Sequence, residues 1–363
     1  MILELNMPMC LYETVCRIIL CLKTNIKYKI YKSKLCQIMD LMDFELSKSR
    51  FLEIFEQISS DCDRSKFFHW LRDEVLPEFE KTIVPKRFTE MLEGSREIEM
   101  IAADIRTQLP QEGVMQSEQI MFPTVGEDTS LTPANTVHVD AFLYDEAAED
   151  ALVEEGVLAR SYCLDCGSRR IEDLTFITHS CSKARLEYMF TGLLPSLQGK
   201  TIIDIGSRIG AVLYGAYYYS AASRIVGVEI NSDLCRIQQG IVEKYKLGDR
   251  VSVVEGDMCT LGDLIRTGDV VVLNNVFDWF MAPEVQVTMW TFLRATLAPG
   301  SLLVTIPSLP ASLGHLDTGI SLASWVRPLQ RCGDPGAWPG EDTAGDQVEL
   351  SEVCLYQVLP PPS

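Results

Sequence analysis

Asp204, Glu229, Asp257 and the pair Asn274-Asn275 are spaced so that one ligand could meet them all. Asp204 lies in the run Lys-Thr-Ile-Ile-Asp-Ile-Gly-Ser-Arg-Ile-Gly at 200–210, and Glu229 follows about 25 residues later. An acid roughly 20 residues beyond a glycine turn suits ribose hydroxyls. A further carboxylate at Asp257 suits the amino group of an adenine. Gly206 and Gly210 let the backbone turn sharply and approach a ligand closely. The segment after them delivers a helix N-terminus to it. The side-chain amides of Asn274 and Asn275 can hold an amine nitrogen and orient its lone pair. Phe277, Trp279 and Phe280 can wall a narrow channel and stack on a cation. Phe277 and Phe280, three apart, suit a core equally well.

Such residues need a scaffold that gathers strand ends. Short apolar runs at 201–205, 224–228, 251–254, 270–273 and 301–305 predict strands, with a closing strand at 353–359. Helical patterns at 186–197 and 232–245 fall between or beside them. Alternating strand and helix signals imply an α/β fold, a parallel sheet covered on both faces. Polar residues then stand at the carboxyl ends of four successive strands, where ligands of open sheets bind.

The 363 residues allow two domains or one large domain with an extension. Residues 1–109 read as a helical N-terminal region. It begins with a basic stretch (Lys23, Lys27, Lys29, Lys32, Lys34) and continues with apolar residues at three- and four-residue steps. Residues 110–135, rich in Pro, Gly, Thr, Ser and Gln, read as a linker or a long loop. Residues 136–185 read as a connector, with a strand at 136–143 and an acidic helix at 145–158. Residues 186–363 hold the sheet. The Gly- and Pro-rich stretch between Pro307 and Gln347, with Trp325 and Trp338, reads as a substrate loop or an insertion.

A net charge of -19 excludes non-specific nucleic-acid binding, which needs a basic face, and permits a basic protein partner. No stretch is long and apolar enough for a membrane span. Twelve scattered cysteines suit a reducing compartment, so a cytoplasmic or nuclear location is expected. Cys163 and Cys166 form a CxxCG turn, and His179 and Cys181 follow. Together they are candidate ligands of a structural zinc, although a lone CxxC also suits two buried thiols or a redox pair.

Residues 178–359 resemble the class I S-adenosylmethionine-dependent methyltransferases. Asp-x-Gly-Ser-x-x-Gly at 204–210, Gly-Val-Glu at 227–229 and Gly-Asp at 256–257 match that family's first three motifs in order. The resemblance implies a Rossmann-like seven-stranded methyltransferase sheet with S-adenosylmethionine as cofactor. Asp204, Gly206, Ser207, Arg208 and Gly210 would then form the methionine-side wall, Glu229 would hold the ribose and Asp257 the adenine, with Asn274 beside them. Dinucleotide-dependent dehydrogenases share the first turn and the ribose acid, but do not usually carry the third acid followed by Asn-Asn.

Residues 274–280, Asn-Asn-Val-Phe-Asp-Trp-Phe, are similar to a segment of the non-SET histone lysine methyltransferases of the disruptor-of-telomeric-silencing type. That similarity implies methylation of a protein lysine or another amine, with Asn274, Asn275 and Phe277 at the reacting side. A catalytically silent module that binds proteins is the alternative. Arg208 departs from the family, whose turn has a third glycine there. Two roles are open to it: pairing with the cofactor carboxylate, or filling the pocket.

Overall fold

The computed structural model describes residues 86–164, 170–329 and 350–361. In chain order these form α1 (Lys86–Arg106), β1 (Thr136–His138), α2 (Glu146–Glu154), β2 (Ser161–Cys163), β3 (Ile171–Asp173) and β4 (Thr175–Ile177). Then come α3 (Lys183–Glu187), which runs on into a wider helical turn at Tyr188–Leu193, β5 (Thr201–Ile205), α4 (Ala211–Tyr219) and β6 (Arg224–Glu229). Next are α5 (Ser232–Lys244), β7 (Val251–Glu255), α6 (Gly262–Ile265), β8 (Val270–Asn274), α7 (Pro283–Thr296) and β9 (Leu302–Ile306). The last elements are α8 (Leu309–Leu313), α9 (Leu322–Trp325), β10 (Val326–Pro328) and β11 (Cys354–Val358).

Seven strands make one sheet in the order β10-β11-β9-β8-β5-β6-β7. Strands β5 to β9 are parallel, and β11 pairs antiparallel with both β9 and β10. This is a Rossmann-like, doubly wound sheet. From β5 the chain winds outward through β6 and β7, then returns to place β8 on the other side of β5. That reversal opens the crevice in which ligands of such sheets bind.

The central strands are almost wholly apolar because both faces are covered. Ile202 and Val272 point into one core, with Leu213 of α4, Ile241 of α5 and Ile98, Ile101 and Ile105 of α1. Ile203, Val271 and Leu273 point into the other, with Trp290 and Leu293 of α7 and Trp325. Side-chain caps start several helices: Asn231 Oδ1 accepts from Asp233 N and Leu234 N at α5, and Ser182 accepts from Arg185 N at α3.

Several expectations change. The chain divides into two compact units, Met1–Leu92 and Glu93–Ser363, and the site lies in the second. Residues 110–135 lie inside that second unit, as the long loop of the two expected readings. Their first part is a strap on the sheet, with Met121 N donating to Trp279 O at 2.8 Å and Met115 packed on the core. A loop can pack this way without periodicity because single anchors hold it. The expected strand at 136–143 stops at His138, since Asp140 turns the chain by accepting from Phe142 N and Leu143 N. Part of the stretch expected as a loop or insertion is core: α8, α9 and β10 come from it, and Trp325 is buried. Residues 1–85 of the expected helical region lie outside the described residues, as do Cys166 and Trp338. Among the described residues, no helix is long and apolar enough to cross a membrane.

Candidate functional site

The turn after β5 begins the site. Gly206 has φ +71, and a Cβ there would lie 2.7 Å from Val276 Cγ1. Gly210 has φ +87, and a Cβ there would meet the Tyr214 hydroxyl at 2.6 Å. Both positions need glycine for conformation and for space. Between them Arg208 also has a positive φ, 49°, which costs a non-glycine residue energy and calls for compensation. The compensation is local in part. Arg208 N donates to Glu229 Oε2 at 2.8 Å, and Gln238 Nε2 donates to Arg208 O at 2.6 Å. Ser207 Oγ bonds to the same Gln238 at 2.8 Å.

The Arg208 side chain is fully engaged within the protein. Its Nε donates to Glu118 Oε1 at 2.7 Å, and Nη1 donates to Asp140 Oδ2 at 2.5 Å and Ser180 Oγ at 3.0 Å. Nη2 donates to Glu118 Oε2 at 3.2 Å and to the Gly113 carbonyl. These five bonds match the five N–H donors of a guanidinium. Burial alone would lower its pKa, but Asp140 and Glu118 raise it, so the group stays charged. Neither expected role describes this arrangement. Arg208 carries no spare donor for a cofactor carboxylate, and it leaves a cavity open beside it. It ties the strap and Asp140 to the glycine turn.

That cavity has a volume of about 530 Å³. Gly206, Arg208, Glu229, Asp257, Asn274 and Asn275 line it, so the ends of four strands are brought together. Asp204, Ser207 and Gly210 stand behind the wall. Asp204 is 2% exposed, and burial first, then the nearby Glu229, raise its pKa well above the usual carboxylate value. It shapes the turn from within and does not touch the cavity. Glu229 accepts from Asn231 N at 2.8 Å as well as from Arg208 N. Burial raises its pKa, and these backbone donors oppose the rise. Asp257 accepts from Cys259 N at 2.8 Å.

On the other side the backbone of Asn275 is left-handed, φ 45, with its N–H on Ile306 O at 2.6 Å. Its Oδ1 is buried with no hydrogen-bond partner among the described residues. Phe277 both lines the cavity and packs edge-on against Trp290, ring centroids 5.1 Å apart. Trp279 is buried, in edge contact with Phe122, His138 and His179, and lines the second cavity rather than the first. Phe280 does line the cavity and meets His179 edge-on at 5.2 Å. A second cavity of about 350 Å³ shares Asn274 and Asn275 with the first, and Asp128, Asp278 and His315 line it.

The described members of the expected zinc set, Cys163, His179 and Cys181, do not gather. Among the described residues no group of three or more His, Cys, Asp or Glu is placed to hold a metal. Cys163 is exposed on β2 and Cys181 is buried, while Cys166 lies outside the described residues. His179 instead pairs with His138, Nε2 to Nδ1 at 3.0 Å, and burial, then Arg208 and His138, hold its pKa down to about 2. A neutral imidazole among aromatic rings is the physical reason: the ring is used as packing at the cavity wall.

Glu118, Asp140 and His138 were not singled out by the sequence. Glu118 lies in a segment without periodicity, His138 ends a short strand and Asp140 follows it, with no motif around them. Their importance arises from contacts with Arg208 and His179 far along the chain.

No protein-family model matches the chain. Among curated proteins it is similar to the ribosomal protein L11 methyltransferase of Pelotomaculum thermopropionicum, 32% identical over 108 residues. That match covers 29% of this chain, and the chain spans about a third (32%) of that relative's length. Among solved structures it is similar to an RNA methyltransferase from Salinibacter ruber in complex with S-adenosyl-L-homocysteine, with 20% identity and TM-score 0.34, covering 51% of this chain and 96% of that one. It is also similar to a methyltransferase from Geobacter sulfurreducens, with 17% identity and TM-score 0.34, covering 50% and 80%. The strand order by itself makes the fold Rossmann-like.

Proposed function

We propose that the chain is an S-adenosylmethionine-dependent methyltransferase whose acceptor is an amine nitrogen, with the lysine side chain of a basic protein as the leading candidate. The observation that supports the cofactor best is the single wall formed by Gly206, Glu229, Asp257 and Asn274 around a cavity of about 530 Å³. The residues fit the group. Glu229 and Asp257 have oxygens that accept only part of their hydrogen-bond capacity from the backbone, leaving lone pairs for ribose hydroxyls and an adenine amine. Gly206 lets the backbone lie against the methionine portion without a side chain intervening.

When bound, the cofactor supplies an electrophilic methyl group on a sulfonium. What remains for the protein is to place a neutral amine in line with it and to exclude water. Asn274 and Asn275 stand between the two cavities and are suited to that placement. The orphaned Asn275 Oδ1 is an acceptor awaiting an N–H. On the lining of the second cavity Asp128, Asp278 and Glu352 outnumber Arg185, which suits an acceptor that arrives as an ammonium and gives its proton to water before transfer. A lysine-type acceptor also agrees with the acidity of the whole chain, net charge -19, which draws basic partners. The similarity of residues 274–280 to the non-SET histone lysine methyltransferases points the same way.

Calorimetric titration with S-adenosylmethionine tests the cofactor. Saturable binding is expected, and a folded protein that binds none overturns the reading. Labelled methyl transfer into histones, other protein extract and small amines then ranks the acceptors. Incorporation confined to oxygen or carbon acceptors rejects the amine.

A further inference from the structure

Glu118 enters the cavity from the strap, not from the sheet. Its side chain is 4% exposed, and both oxygens are fixed: Oε1 by Arg208 Nε, and Oε2 by Arg208 Nη2 and by Met115 N at 2.7 Å. With Glu229 and Asp257 it makes three carboxylates on the lining, against Arg208 as the one cationic side chain among the described residues there. Arg208 does not neutralise them. It is shared with Asp140, whose side chain is 1% exposed, so one guanidinium faces two buried carboxylates. Glu118 and Glu229 are close enough that burial is joined by the Glu118 charge in raising the pKa of Glu229. A wall of like charges is relieved by an occupant of opposite sign.

The donor and the spent form of the proposed cofactor differ in this respect. The sulfonium, ammonium and carboxylate of S-adenosylmethionine leave one net positive charge. The thioether S-adenosylhomocysteine lacks the sulfonium and is neutral overall. We propose that Glu118 is a specificity-determining residue that makes the cavity favour the sulfonium form over the thioether, so that the spent cofactor is released in exchange for a fresh one. The inference rests on the cofactor reading given above. Coulomb's law at an effective dielectric constant of about 20 makes one wall charge worth several-fold in the ratio of the two affinities.

The test is a calorimetric comparison of three ligands on the full chain: S-adenosylmethionine, S-adenosylhomocysteine, and the amine analogue in which a protonated C–NH2 replaces S–CH3. The two cationic ligands are expected to bind more tightly than the thioether. In Glu118→Gln, which keeps the side-chain shape, that preference is expected to fall about fivefold. Asp140→Asn removes a charge from the same guanidinium but lies off the cavity lining, and is expected to leave the ratio near its original value. General loosening of the strap would weaken all three ligands alike, so the ratio separates charge from structure. If Glu118→Gln does not fold, the unaltered protein still decides, because equal affinity for cationic and neutral ligands overturns the inference. So does a ratio in Glu118→Gln that matches the unaltered protein. Failure of the unaltered protein to bind any of the three removes the cofactor reading itself.

Discussion

The two walls of the cavity are held by different kinds of force. On the strand side, Gly206, Glu229, Asp257 and Asn274 are fixed by the sheet, through backbone ladders and apolar burial on both faces. On the strap side, Glu118 and its neighbours have no ladder. They are held by a buried cation with two carboxylates, one hydrogen bond from Met121 N to Trp279 O, and a side-chain pair between Ser117 and Asn231. The sheet spreads its stability over many small contacts. The strap concentrates its stability in Arg208, and a single substitution should reveal the difference.

Arg208→Met is the sharpest way to break the contrast. It keeps most of the side-chain volume but leaves Glu118 and Asp140 as buried unpaired charges, an effect of ~3–5 kcal/mol. Urea denaturation should show a much lower midpoint, and cofactor titration should show binding lost or severely weakened. Arg208→Gly restores the residue usual in the resembled family and removes the left-handed strain, yet it should still destabilise, because relief of ~1 kcal/mol does not offset the loss of the ion cluster. A Gly variant as stable as the original protein would show that the clamp is dispensable.

Acidity offers a graded version of the same comparison. The Glu229 pKa is raised above its usual 4.5 by burial first, so the folded protein holds this proton more tightly than the unfolded chain does. Its contribution to stability is fully present below 4.5 and is lost as pH rises through the elevated value. A cationic ligand favours the ionised form. Its affinity should therefore strengthen with rising pH across that window, with proton release visible as a buffer-dependent binding enthalpy. Glu229→Gln should abolish this pH dependence, and if it persists the titrating group is elsewhere.

The smallest effect is expected at an exposed point of the strap, beside Glu118. Ser117→Ala removes an exposed hydrogen bond to Asn231, so stability should change by no more than ~0.5 kcal/mol and cofactor affinity by less than about threefold. A large loss would mean that the strap is anchored at Asn231 as well as at Arg208.

The strand side was the legible side. The strand expected at 201–205 is found as Thr201–Ile205, and those expected at 224–228 and 270–273 are found as Arg224–Glu229 and Val270–Asn274. Buried parallel strands are continuous apolar runs, and the polar residue ending each run marks the crevice. The strap had no such signal. Arg208 finds Glu118 90 residues upstream and Asp140 68 residues upstream, distances over which no local pattern can speak. His179 shows the converse. Its spacing to Cys181 invited a metal, but burial beside Arg208 and His138 made it a neutral packing group. Phe277 suits both a core and a site reading, and it packs against Trp290 while also lining the cavity.

The position of β11 has a consequence for how the fold is reached. This late strand is inserted between β9 and β10, and both of its neighbours precede it in the chain. Until residues 354–358 arrive, β9 has an open edge and β10 has no strand to pair with. During synthesis the crevice between β5 and β8 can therefore be complete while the far border of the sheet is still exposed. Such an edge invites pairing with other chains. A nascent chain that stalls before this strand should be able to bind its ligand and yet remain a client for chaperones.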